Sequence, residues 1–306
     1  MKSKGEKGGL FLIHRLSRRI TVLELPRFQF PYCNCVWIED DRTGLIDSSP
    51  PDDGQEFLKG RPIDLLLQSH GHLDHCFLTP DLKASQVLMH PADQPMAESA
   101  DGYLQEFGFN LLVPDKHLHQ RYMDAIRYRP IQVTGPLYEG QVFDFGHVQV
   151  QVMHLPGHSA GHCGFFFPEQ DFVFTADLDL SPFGPWYGNL SCSIADLLAS
   201  IERLLALKPG FIVSGHGQAI VKEQVPARLK AYRDTIFQRE KRILDCIRRG
   251  HHTLREIARC LPTYQKLPPP QQVFLLYEYI MDMIHLNYLV DQQQVVCDNQ
   301  RYYLPA

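Results

Sequence analysis

Ile63-Asp64-Leu65-Leu66-Leu67-Gln68-Ser69-His70-Gly71-His72-Leu73-Asp74-His75 joins a short apolar run to a dense cluster of histidines. The run over 63–68 is too short for an ordinary helix and reads as a strand buried on both faces. A buried strand delivers the chain to the edge of its sheet, where sites are commonly built. Imidazole and carboxylate are ligands that a divalent metal such as Zn²⁺ favours. On extended backbone alternate residues share a side, so His70 and His72 converge on one centre. Asp74 and His75 are adjacent and point apart unless the chain turns, and a turn aims them at a second centre nearby. A lone histidine is more often a hydrogen-bonded structural residue. That reading holds for His90, His117, His119, His147, His154, His251, His252 and His285, but not for three histidines and an aspartate in six residues.

Working outward, 20–25, 35–39 and 44–47 are short β-rich runs parted by turn residues. Residues 91–129 are more polar and carry helical patterns. Strands return at 142–145 and 148–155, and 164–167 with 171–175 forms a hairpin around Pro168-Glu169-Gln170. Ser193-x-x-Asp196 opens a helix as a capping box, Leu197, Leu198, Ile201, Leu204 and Leu205 form its apolar face, and Pro209-Gly210 stops it before a strand at 211–214. From Glu223 onward the pattern is helical: 232–249, 253–260 and 271–289, then a hairpin of 292–297 and 301–304 around Asp298-Asn299. Three helices and a hairpin is the order of a winged-helix module. The expected division is therefore 1–222 and a small, mostly helical 223–306.

Four further motifs fall in order around the histidine cluster. Leu45-Ile46-Asp47 precedes it; Pro156-Gly157-His158-Ser159-Ala160-Gly161-His162, Thr175-Ala176-Asp177 and Ser214-Gly215-His216-Gly217 each end a strand. Together, over about residues 20–218, these resemble the five motifs of the metallo-β-lactamase superfamily. The resemblance implies an α/β fold, a four-layer αββα sandwich with the site at one edge of its two sheets. It implies that His70, His72 and His158 hold a first metal, that Asp74, His75 and His216 hold a second, and that Asp177 bridges them. Asp47 would support the site from behind, and His162 would brace its loop without ligating. Two divalent ions are implied; Zn²⁺ suits the ligands, and Fe or Mn fits the same N/O set. A water shared by the two ions becomes hydroxide near neutral pH, one ion polarises the substrate oxygen, and Asp74 orients the nucleophile. Phe77, just after the cluster, and Trp186 and Tyr187, in the loop after Asp177, are the candidate pocket residues. Flavodiiron relatives carry Glu where this chain has His72, which argues against diiron redox chemistry.

The stretch 143–146 followed by 150–162 resembles glyoxalase II and its thioesterase and lactonase relatives. A hydrolase of a thioester or related small acyl substrate, hydroxyacylglutathione hydrolase-like, is therefore expected. The tail resembles that of the β-lactamase-like protein 2 group, which brings the alternative of a metal-dependent endoribonuclease, with Lys241-Arg242 and Arg248-Arg249 against phosphates. A mononuclear iron persulfide dioxygenase shares the histidine motif and is a third alternative. A dimerisation or docking role is open for the tail, so a homodimer is a candidate assembly.

The chain has 306 residues, room for a sizeable core, and a formal net charge of -5, so charge alone implies no affinity for nucleic acid. None of the eight cysteines forms Cys-x-x-Cys, as suits reduced thiols in a reducing compartment. Lys2, Lys4 and Lys7 precede an apolar run at 10–13 that is too short for a signal-peptide core. With no unbroken membrane-length apolar stretch, a cytoplasmic protein without a membrane span is expected.

Overall fold

The computed structural model describes residues 13–305. The N-terminal lysines and most of the apolar run at 10–13 lie outside the described residues. Two sheets stack face to face. The first runs in chain order through β1 (Ile13–Arg15), β2 (Ile20–Leu23), β3 (Cys35–Glu39), β4 (Thr43–Ile46), β5 (Ile63–Leu67), β6 (Ala84–Met89) and β7 (Gly135–Pro136). It is antiparallel from β1 to β4 and parallel from β4 to β7. The second comprises β8 (Val142–Asp144), β9 (Gln149–His154), β10 (Cys163–Phe167), β11 (Phe172–Phe174), β12 (Phe211–Val213) and β13 (Ile220–Val221), with the order β13-β12-β11-β10-β9-β8.

The period-2 alternation of strand residues sorts the side chains into layers. Ile20, Val22, Val36, Ile38, Leu65 and Leu67 meet Val150, Val152, Phe165, Phe167, Phe172 and Phe174 in the core between the sheets. The opposite face of the first sheet, including Trp37, Leu45 and Leu66, packs with Leu58 of α1 (Asp52–Leu58) and Ala97 of α3 (Gln94–Glu98). The opposite face of the second sheet packs against α7 (Ile194–Leu207) and α8 (Val225–Arg248). The result is the expected αββα sandwich. Between β6 and β7 the chain adds α4 (Ala100–Glu106), α5 (Phe109–Leu112) and α6 (Lys116–Ile126).

The tail follows the expected order: α8, α9 (Leu254–Arg259), α10 (Gln271–Asp291), then a hairpin of β14 (Val296–Asp298) and β15 (Arg301–Tyr303). α8 starts seven residues ahead of the expected 232. Val225, Leu229, Tyr232 and Ile236 recur at helical spacing and pack on α7, whereas Ile243, Cys246 and Ile247 join α9, α10 and Val295 in a smaller core. One helix thus serves both cores, just beyond the expected seam at 222. α10 is long and apolar enough to cross a membrane by length and composition, with mean hydropathy 1.2. Here it buries Ile280, Met281, Leu286 and Leu289 in protein, along with Glu278, Asp282 and His285.

Candidate metal centre

The expected ligand positions all lie at strand ends on one edge of the sandwich. β5 leads into the histidine cluster, and Leu73–Cys76 forms a single helical turn, α2. That turn is the bend needed for Asp74 and His75 to depart from the direction of His70 and His72. The 156–162 loop follows β9, Asp177 follows β11, and His216 follows β12. Gly157 has φ +123°, and a Cβ there would stand 2.3 Å from the Leu197 backbone nitrogen, so only glycine lets this loop lie against α7.

Two groups result. His70, His72, His158 and Asp177 bring one donor atom each within 4.8 Å of one another, and Asp74, His75 and His216 do the same. Asp177 faces both: Oδ1 lies 2.8 Å from His75 Nε2 and 3.4 Å from His216 Nε2, and Oδ2 lies 3.3 Å from His158 Nε2. His216 Nε2 is also 3.2 Å from Asp74 Oδ2. His158 Nε2 stands 3.0 Å from His72 Nδ1.

The atoms behind these rings explain which nitrogens face inward. Asp47 is fully buried; its Oδ2 accepts from His75 Nδ1 at 2.7 Å and from the Ser69 hydroxyl at 2.8 Å. Ser69 Oγ in turn accepts from His70 Nδ1 at 2.9 Å. One carboxylate therefore sets the tautomer of two histidines and leaves each Nε2 with a lone pair for the centre. His158 Nδ1 donates to the Trp186 carbonyl at 3.0 Å. His162 donates from Nδ1 to the Leu155 carbonyl and accepts the Asp177 N–H at Nε2, so it braces the Asp177 turn.

The cluster fits a cation. His70 Nε2 and Asp177 Oδ1 are buried without a hydrogen-bond partner, the latter despite its closeness to His75. Leaving such atoms bare costs roughly 1–3 kcal/mol each, and a divalent ion would satisfy them. Burial also holds His70 below its ordinary pKa, His72 at about 4 and His158 at about 3, in the neutral form that ligates. At His75 and His216 burial pulls the same way, but the Asp177 carboxylate outweighs it and raises both. Two carboxylates, Asp74 and Asp177, only partly exposed among these rings, call for compensating positive charge.

The expected pocket residues divide. Trp186 borders the site, its ring centroid 5.5 Å from that of His72 and 5.6 Å from that of His158. Tyr187 does not: it is fully buried, and its hydroxyl meets His285 Nδ1 of α10 at 3.1 Å. The two side chains diverge: Trp186 lies between the histidines and Tyr264 and Tyr277 of the tail, whereas Tyr187 is buried against Arg239 and His285. Phe77 packs beneath Arg127 and Arg129 and lines a separate cleft of about 1080 Å³ between α4 and α6 that includes none of the seven His and Asp positions.

Sequence reasoning missed Asp93. Buried completely, it accepts from Gly71 N and the Ser159 hydroxyl at Oδ2 and from Gly161 N at Oδ1, tying the histidine cluster to the 156–162 loop. Burial pushes its carboxyl up to about 6, although those three donors oppose the shift. It also missed three aromatics. Phe107 has its ring 5.3 Å from His72, Phe28 has its ring 5.3 Å from His216, and Tyr277 of α10 lies 5.5 Å from Trp186.

The family model of the metallo-beta-lactamase superfamily matches residues 29–216. A hydroxyacylglutathione hydrolase of Haemophilus influenzae is 26% identical over 215 residues, covering 65% of this chain and 90% of that protein. An atrochrysone carboxyl ACP thioesterase of Aspergillus chevalieri is 26% identical over 156 residues, covering 47% of this chain; the chain spans about half (48%) of that protein's length. The crystal structure of a metallo-beta-lactamase family protein from Thermus thermophilus superposes with TM-score 0.72 at 18% identity, over 95% of this chain and 100% of that one. That likeness of fold extends past residue 216 into the tail.

Proposed function

The chain belongs to the metallo-beta-lactamase superfamily, and from that premise we propose that this metal-dependent hydrolase uses two cations to cleave thioesters. The single observation that carries the reading is the Asp177 carboxylate, which faces both ligand groups at once. We assign His70, His72 and His158 to one cation and Asp74, His75 and His216 to the other, with Asp177 between. Zn²⁺ is the proposed metal, and Fe or Mn suits the same donors. Such a pair, when bound, supplies an acidified water and a Lewis acid at the substrate carbonyl. The protein's own part is orientation and proton handling. Asp47 and Ser69 lock His70 and His75, and the partly open Asp74 carboxylate takes up the attacking water's proton. The water oxygen joins the acyl carbon, the C–S bond breaks, and the sulfur leaves as a thiol after receiving a proton.

Two observations favour a thioester over a phosphodiester. Of the curated relatives described above, one is named for hydroxyacylglutathione and one is named a thioesterase. Among the described residues, the hydrogen-bond and ion-pair partners of the seven ligand side chains include no lysine or arginine, whereas a nucleic-acid backbone calls for cationic contacts. Arg248 pairs with Asp245 near the end of α8, roughly 24 Å along that helix from Tyr232, which touches the site. The tail is proposed to build the site rather than to dock a partner. The eight free thiols support a cytoplasmic setting.

The test is a panel of thioester, lactone, phosphodiester and persulfide substrates with the Zn²⁺-loaded protein. Thioester turnover that disappears in His72→Ala supports the reading; phosphodiester turnover alone contradicts it.

A further inference from the structure

We propose that the tail completes the substrate pocket, and that Phe107, Trp186 and Tyr277 form an acyl-binding wall selecting a bulky apolar group, medium-chain or aromatic, rather than a small hydroxyacyl group. This deepens the thioester reading and rests on it. Tyr277 lies on α10, well beyond the family match that ends at residue 216. Its ring is 5.5 Å from Trp186, nearly perpendicular at 84°, and 6.0 Å from Phe107. Phe107 and Trp186 are in turn 5.3 and 5.5 Å from the His72 ring. Phe107 is buried and backs the other two rings, so Trp186 and Tyr277 form the face of the wall that continues from a proposed ligand toward an acyl chain.

The polar atoms of this wall are already committed. Trp186 Nε1 donates to the Tyr264 hydroxyl at 2.9 Å, and the Tyr277 and Tyr122 hydroxyls bond each other at 2.9 Å. What remains for a ligand is carbon surface, and Trp186 and Tyr277 are both partly exposed. The wall is also held in place. The Trp186 carbonyl is bound by His158, and Arg239 of α8, fully buried, donates to the Phe183 and Pro185 carbonyls of the same loop. An acyl group carrying hydroxyl or carboxylate functions would find no donor here and would lose its hydration. On the other flank Phe28, 66% exposed, sets its ring 5.3 Å from His216, so the mouth is apolar on both sides.

The experiment assays the full-length, metal-loaded protein on N-acetylcysteamine thioesters from acetyl to octanoyl and benzoyl. In parallel, Trp186 fluorescence, with Trp37 buried, follows binding of acetate and octanoate. Each apolar increment in a fitted pocket is worth about tenfold, so kcat/KM should rise at least that much from acetyl to octanoyl. Tyr277→Ala should collapse the octanoyl-to-acetyl ratio in both turnover and binding, and Tyr277→Phe should restore it. Turnover without chain-length preference, or an equal loss on every substrate in Tyr277→Ala, overturns the wall and leaves the thioester reading standing. Octanoate preference lost in Tyr277→Ala without any thioester turnover keeps the wall and overturns that reading. Should Tyr277→Ala fail to fold, the wild-type series alone decides.

Discussion

The Tyr232 hydroxyl, on the first tail helix, donates to the backbone carbonyl of Asp177 at 3.0 Å. A residue outside the family match thus steadies the carboxylate that faces both ligand groups. Tyr232→Phe removes this one buried bond and costs about 1 kcal/mol of stability. Loosening the Asp177 turn should weaken metal binding by about tenfold, the low end for a supporting contact. Competition with a chelator measures it, and unchanged affinity would detach the tail from the centre.

Asp47 holds two rings through one carboxylate, His75 directly and His70 by way of Ser69. Asp47→Asn keeps the size but places an amide where the His75 N–H must donate. The expected result is a 10- to 100-fold fall in metal affinity, the usual range for such supporting groups, with the fold retained by circular dichroism. Affinity equal to wild type would show that the rings are held by packing alone.

Asp40 offers a pH test away from the centre. Burial pushes its carboxyl up, but the His147 and Val148 N–H groups, the His147 ring and Arg19 outweigh burial and hold it at about 2, against an ordinary 3.8. A folded-state pKa below the unfolded value contributes stability above pH 3.8 and loses it as pH falls toward 2. Asp40→Asn should flatten the urea midpoint across that window relative to wild type. Parallel curves for the two proteins would contradict the assignment.

The proposed ligands were legible because each is a short polar motif directly after an apolar strand, and strand ends collect at one sheet edge. Asp47 was legible for the same reason, standing at the end of β4. Asp93 carries no such signal: it lies in a loop, and only the folded chain brings it to Gly71, Ser159 and Gly161. β6 was missed because Ser85 and Gln86 dilute its apolar run, while β5 and β7 on either side pair with it. The start of α8 was readable in Val225 and Leu229, which share a face with Tyr232 and Ile236. Tyr187 was misplaced beside Trp186 because adjacency in sequence does not tell which neighbour faces inward. Tyr277 lies 91 residues from Trp186, and no local pattern links them; packing of α10 does.

Asp177→Ala should lose metal and activity together, and elemental analysis finding two metals retained in it would contradict the bridging assignment. The most direct measurement is a metal titration of the metal-free wild-type protein, with thioester turnover recorded at each addition of Zn²⁺. With the seven proposed ligands in two groups that Asp177 faces together, activity should plateau at about two equivalents per chain, the stoichiometry of a two-metal site. Full activity at one equivalent, or turnover without metal, would contradict the two-metal hydrolase.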